Sequence, residues 1–419
     1  MKWILRSVSF TSEEQERDDW RDVWVAASAR AVSLAGDFLA ATALVLALQQ
    51  RGDDGFGVAA LLLASTVPMV LLAPVGGRLA DRFDSRTLLT TVGLAQVVCC
   101  VGMAFTTNTA TLVALAALLS AGLAISQPTF VALIPAMVSR ASLPKAMAIG
   151  QSASSVGMIV GPGLAGFLVG GFGLRLPLLL NAVTYVAVVV AGLALHTRRG
   201  AKATKTDEEQ TWRLRQDPLL ARLVPAAAVV LGTISVVNVV LVFFVRDTLD
   251  ASALAYGLVD TVLTIGLVAG AWVVARVARG DDSLAIGLIV SLAGMGLVFL
   301  VASAVPNVLW LVPLYIVAGG FNGALNTVVG LLLARRVPAR SRGRAAGLLH
   351  GTANGAVAVG YVLAGLLLQV LTPRQCVAAA GLAGVLTMAA LAVPILRAAK
   401  RPQPTAEPQP AVGPALAAS

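Results

Sequence analysis

Apolar runs of roughly 20 residues, the length a helix needs to cross a hydrocarbon core, alternate with short polar breaks along most of the chain. The first six runs lie at about 25–48, 57–76, 87–105, 110–135, 146–169 and 174–195. Six more lie at about 222–245, 254–275, 283–303, 308–333, 345–370 and 374–396. They predict an all-α membrane protein with twelve transmembrane helices. The polar stretch HTRRGAKATKTDEEQTWRLRQDPLLA divides the runs, so the layout predicts two six-helix bundles at 25–195 and 222–396 with a linker at 196–221. A polar segment at 1–24 precedes them, and a Pro/Ala-rich tail at 397–419 has the composition of a disordered end. An internal repeat is faint: GGRLADRFDSR after the second run corresponds in position to GAWVVARVARGDD after the eighth.

Composition supports the bilayer as solvent. The chain is 58% hydrophobic and 12% charged, whereas soluble domains are about 25% charged. No Asp or Glu occurs between Asp84 and Asp207, a gap no water-exposed surface of that length would show. The net charge of +10 would suggest nucleic acid if it formed a patch, but it follows topology instead. With both termini cytoplasmic, only Arg51, Arg175, Arg246 and Arg374 of the 31 Lys and Arg fall in external loops, and Arg30 falls within the first run. This is the distribution the positive-inside rule expects. The first 24 residues are too polar and acidic for a cleaved signal peptide. Cys99, Cys100 and Cys376 have neither disulfide-framework nor metal-ligand spacing.

Charges inside the membrane are costly and mark function. Two carboxylates qualify, Asp37 in the first run and Asp260 in the eighth. Asp37 is the deeper one and the leading candidate for proton coupling or for contact with a cationic substrate. Asp260 is read equally well as a residue of a hydrated vestibule near the external surface. Arg30 lies two helical turns from Asp37 on the same face; it either snorkels to the cytoplasmic surface or takes part in transport. Gln127, Asn181, Tyr185, Asn238, Asn322, Asn326, Asn354 and Tyr361 either line a cavity or hydrogen-bond between helices. His196 and His350 have no metal-ligand company in the sequence. No G-x-x-x-x-G-K-[ST] loop and no defensible nucleophile–base pair is present, so the chain is not read as an enzyme.

Two motifs add to this. In GGRLADRFDSR, a glycine would let helices approach and the Asp81 carboxylate would suit a neighbouring helix N-terminus; the alternative is a solvated acid among cytoplasmic arginines. The stretch GQSASSVGMIVGPGLAG ends in a literal G-x-G-x-x-G, but no acid follows for forty residues and the chain runs on into another apolar span, which excludes a dinucleotide loop. Its small residues form a surface on which helices can touch.

GGRLADRFDSR resembles the major facilitator superfamily signature G-x-L-A-D-R-x-G-R-R/K through Gly77, Leu79, Ala80, Asp81, Arg82 and Arg86, with Asp84 and Ser85 as departures. The resemblance implies a cytoplasmic gate in which Asp81 latches the halves, with Ser341–Gly347 (SRGRAAG) as partner region. The fifth run is similar to the antiporter motif of that superfamily through Gly150, Gly157, Gly161, Pro162 and Gly166, with Ala165 in place of a glycine. SLAGDFLAATALVL and RRVPARSRGRAAGLL resemble the macrolide-efflux-like branch of drug exporters. The fourth run lacks the arginine that many proton-coupled exporters carry there.

The expectation is a secondary transporter exporting a small amphipathic compound, such as an antibiotic, by alternating access. It would be driven by protons with no cofactor, act as a monomer in the plasma membrane, and bind no nucleic acid. Siderophore or metabolite export, uptake or facilitated diffusion, and a flux-free sensor or scaffold are the alternatives.

Overall fold

The computed structural model describes residues 18–52, 55–139, 141–197, 218–277, 281–337 and 342–399. They form twelve α-helices: α1 (Trp20–Gln50), α2 (Gly55–Arg82), α3 (Ser85–Phe105), α4 (Thr109–Met137), α5 (Leu143–Phe172), α6 (Arg175–Ala194), α7 (Pro218–Phe243), α8 (Ala253–Val277), α9 (Asp281–Ser303), α10 (Leu311–Arg336), α11 (Arg342–Leu367) and α12 (Pro373–Ala399). Each predicted run lies on one of them. Most helices extend past the apolar run by several residues, because polar residues at a helix end can remain in water while the backbone keeps its hydrogen bonds. The first helix accordingly starts at Trp20, inside the segment read as preceding the bundle. Eleven of the described helices are long and apolar enough to cross a membrane, and α11 has a shorter apolar part, Gly351–Leu367.

The packing repeats. In the first half α1 packs on α5 and α6, α2 on α4, and α3 on α4 and α6. Adding six to each number gives the principal contacts of the second half: α7 on α11 and α12, α8 on α10, α9 on α10 and α12. Contacts between halves obey the same rule, α5 meeting α8 and α2 meeting α11. The weak repeat in the sequence is thus a strong repeat in space. Helices α1 and α7 are the most enclosed, with 67% and 61% of their most apolar stretches buried, against 17% for α2 and α8.

The bundle has one end where α1 begins and α12 finishes, the terminal end, and an opposite end. At the opposite end the halves touch. Gln49 Nε2 donates to Asp247 Oδ1 at 2.7 Å, and Phe56 of α2 packs against Gly365 of α11. Asp247 lies in a π-helical turn, Phe244–Thr248, that finishes α7, the kind of local irregularity that recurs at functional sites. Toward the terminal end Gly77 of α2, Gly330 of α10, and Gly351 and Gly355 of α11 have open space where a side chain would stand.

The start of α1 is tied to the terminal end. Asp18 accepts the Ser142 hydroxyl at 2.5 Å and the Ser139 N–H at 2.8 Å. These bonds, that from Ser142 first, hold its carboxyl below the usual carboxylate range. A lowered folded-state value means that the tie is complete at neutral pH and is lost only as pH falls through that value. Lys145 lies over the Trp20 ring, 5.0 Å from its centroid.

Candidate transport site

Asp37 sits inside the first half. The Tyr185 hydroxyl of α6 donates to its Oδ1 at 2.5 Å, and its Oδ2 is buried with no hydrogen-bond partner among the described residues. Asp260 lies at the seam between halves: Thr42 Oγ1 of α1 donates to its Oδ2 at 3.3 Å. Asp260 therefore makes a contact between the halves and is half-buried. Neither carboxylate has a cationic partner among the described residues.

Arg30 does not snorkel. Its Nε donates to Ser154 Oγ at 3.0 Å and its Nη2 to Gln127 Oε1 at 3.1 Å, linking α1 to α5 and α4. Arg30, Asp37 and Ala41 fall within about 40° of one another around α1 at 100° per residue. Ala41 is exposed on a part of α1 whose neighbours are buried. Asn238 is likewise exposed between buried neighbours on α7. Asn326 is exposed on α10 and donates to Asn322 Oδ1 at 3.0 Å. Asn322 and Asn354 are half-buried.

Three of the polar residues expected to line a cavity are buried: Tyr185, engaged with Asp37, and Asn181 and Tyr361. Asn181 is fully buried, beside Cys100 and Thr184 within the first half. Tyr361 is 8% exposed and lies against Asn238 and, across the halves, Thr66. Sequence shows that these side chains are polar; only neighbouring helices determine which way each polar face turns.

The glycines of the fifth helix divide between two neighbours. A Cβ on Gly157 would come within 3.0 Å of the Ala31 and Ala35 backbone of α1, and one on Gly161 within 2.7 Å of Ala35 O. On the opposite face a Cβ on Gly166 would come within 2.5 Å of Ala253 O of α8, and Gly257 of α8 packs as closely on Pro162 O. Thr261 Oγ1 donates to Ile159 O at 3.3 Å along the same seam. Gly150 meets only the Ile134 side chain. One small-residue motif therefore builds both the interior of the first half and its contact with the second.

In GGRLADRFDSR the close approach belongs to Gly76, against Ala124 O of α4, and not to Gly77, which has open space. Asp84, the departure from the signature, caps α3 by accepting the Thr87 N–H at 3.3 Å. Arg82 is exposed and Arg86 half-buried. The side chains of Asp81, of Ser341–Gly347 and of His350 lie outside the described residues, as does the backbone of Ser341.

The sequence reading missed Asp22. It is fully buried, and its Oδ2 accepts the N–H groups of His196 and Thr197 at 2.9 and 2.7 Å, closing the end of α6 onto α1. His196 therefore does have acidic neighbours: ligand-type atoms of Asp19, Asp22 and His196 lie within 4.8 Å of one another. The Arg21 guanidinium already stands 2.6 Å from His196 Nδ1, so a cation is supplied by the chain itself. The only sequence signal was an acid three residues from another acid at a helix start. Asp22→Ala removes the charged acceptor of two part-buried N–H groups and is expected to cost about 1–3 kcal/mol. A lowered melting temperature of the detergent-solubilised protein checks this.

The arrangement is two pseudo-equivalent six-helix halves with a polar seam, touching at one end. The Major Facilitator Superfamily model matches residues 26–281 and 223–418. The chain belongs to the Major Facilitator Superfamily. It is a multi-pass transporter of the cell membrane, not an enzyme. YfiS of Bacillus subtilis (strain 168), described as an uncharacterized MFS-type transporter, is 21% identical over 356 residues, covering 82% of this chain and 85% of that one. Among solved structures, a POT family transporter in complex with a thioalcohol-conjugated peptide has a TM-score of 0.76 at 10% identity, covering 91% of this chain and 98% of that one. A bacterial homologue of the human lysosomal transporter Spinster, inward-facing and unoccupied, has a TM-score of 0.65 at 15% identity, covering 90% and 95%. These likenesses concern the superfamily fold.

Proposed function

We propose that this member of the superfamily is a proton-coupled exporter of a small amphipathic compound, of the macrolide-efflux-like kind, working by alternating access. The observation that carries the reading is the pair of membrane-embedded carboxylates. Asp37 lies inside one half, and Asp260 is held by Thr42 of the other half. Intramembrane carboxylates commonly serve proton relays, and here one of them also changes partners whenever the halves separate at the seam. The closely packed α5–α8 contact provides the surface about which they rock. With the termini cytoplasmic, as the basic loops favour, the terminal end faces the cytoplasm and takes up substrate there. The Asp81 motif and Ser341–Gly347 would meet on closure of that end. The chain works as a monomer, with the proton gradient as its energy source and no cofactor.

The test is flux in proteoliposomes across a compound panel, with and without an imposed proton gradient. Export should stop on adding a protonophore. Unchanged flux after the protonophore rejects proton coupling, net movement only down the substrate gradient indicates facilitated diffusion, and no flux of any compound favours the sensor or scaffold reading.

A further inference from the structure

Arg30 is a cation within an apolar span, and no acid among the described residues pairs with it. The ion pairs among the described residues all involve Asp22. Asp37 is about 10 Å away along the helix at 1.5 Å per residue, and it is engaged by Tyr185. Charged groups at this depth normally find a partner of opposite sign. The bonds to Ser154 and Gln127 fix the guanidinium plane and use Nε and Nη2, leaving Nη1 without an acceptor among the described residues. The side chain is half-exposed, on the face of α1 that also carries the exposed Ala41.

The second half carries the complementary observation. By the plus-six rule α1, α4 and α5, which carry Arg30, Gln127 and Ser154, correspond to α7, α10 and α11, which carry Ala228, Val329 and Ala353. Those three residues line one cleft together with Leu231 and Leu325, and only Asn326 and Thr352 add polar atoms to it. The corresponding helices thus hold an oriented cation in one half and an apolar cleft in the other.

We infer that the transported compound is an amphipathic anion, with a carboxylate or similar oxyanion on the Arg30 guanidinium and an apolar body toward the α7–α10–α11 cleft. This rests on the transport reading and names its substrate class. Gln127 and Ser154 are positioning residues that aim the guanidinium. A fixed planar fork suits a planar two-oxygen acceptor better than a point charge would.

The experiment measures equilibrium binding to the purified full-length protein in detergent. The probes are a panel of amphipathic acids, each paired with its neutral primary amide, such as naphthylacetate with naphthylacetamide. At least one acid should bind about tenfold or more tightly than its amide, the factor a charge-assisted hydrogen bond supplies. Arg30→Gln should erase the preference and Arg30→Lys should keep part of it. Gln127→Glu, nearly isosteric, supplies an internal carboxylate to Arg30 and should erase the preference too, even if Arg30→Gln fails to fold. The inference is overturned if no acid outbinds its amide, or if the preference survives in Gln127→Glu. Binding is read without flux: acid preference with no transport would reject the transporter reading and leave the site, and transport without acid preference would do the reverse.

Discussion

In proteoliposomes with an imposed proton gradient, Asp37→Asn is expected to lose the gradient's effect on flux. The ratio of flux with the gradient to flux without it should exceed one in the wild type and fall to about one in the variant, with downhill exchange retained. Asparagine keeps the shape of the side chain and an acceptor for the Tyr185 hydroxyl, so the α1–α6 packing around it should survive. Asp260→Asn separates the two carboxylates. It weakens a bond that exists only while α1 and α8 are together, so it should shift the balance between the conformations as well as the rate. If Asp37→Asn retains full gradient-driven flux while Asp260→Asn loses it, the coupling role passes to Asp260. If both retain it, protons are not coupled through either.

Gly166→Val and Gly257→Val are expected to reduce transport at least tenfold, roughly the effect of one strained interface contact. Even a Cβ at either position meets backbone of the other half within 3.0 Å, and backbone cannot rotate away as a side chain can. Overpacking of this kind costs about 1–3 kcal/mol. Because the strain is at the seam between halves, it should act against the state in which the opposite end is closed. Cysteines placed at Gln49 and Asp247, which lie in contact there, should crosslink less efficiently in both variants. Gly157→Val, on the α1 face of the same helix, should instead lower the melting temperature and leave the conformational balance near that of the wild type. Equal crosslinking in all three variants would sink the division of α5 into an inner face and a seam face.

The spacing of G-x-x-x-G residues predicted that α5 packs closely, and it does. It did not reveal that Gly157 and Gly161 face α1 while Gly166 faces α8, since that depends on which helix occupies each side. The same limit governs the charged residues. Asp37, Asp260 and Arg30 were identified because any ionisable group within an apolar run is conspicuous. The partners that define their roles, Tyr185, Thr42, Gln127 and Ser154, are ordinary polar residues far away in the chain. Asp22 was missed because it lies in a polar segment where acids are unremarkable; its burial arises only when α6 ends against it.

What the sequence determined by itself is the set of helices, their number and their solvent, because backbone hydrogen bonding in hydrocarbon admits only long apolar helices or closed barrels. The few charged residues inside apolar runs, Asp37, Asp260 and Arg30, stood out as groups for which the fold has to supply polar partners. What only the tertiary structure decided is the pairing: the plus-six symmetry of the contacts, the seam along α5 and α8, the capture of Asp260 by Thr42, and the polar surroundings of Arg30 against the apolar cleft of α7, α10 and α11. The physical reason is that an apolar run is attracted equally to lipid and to any other helix. The choice among neighbours falls to small residues that permit contact and to a few polar groups that must find one another.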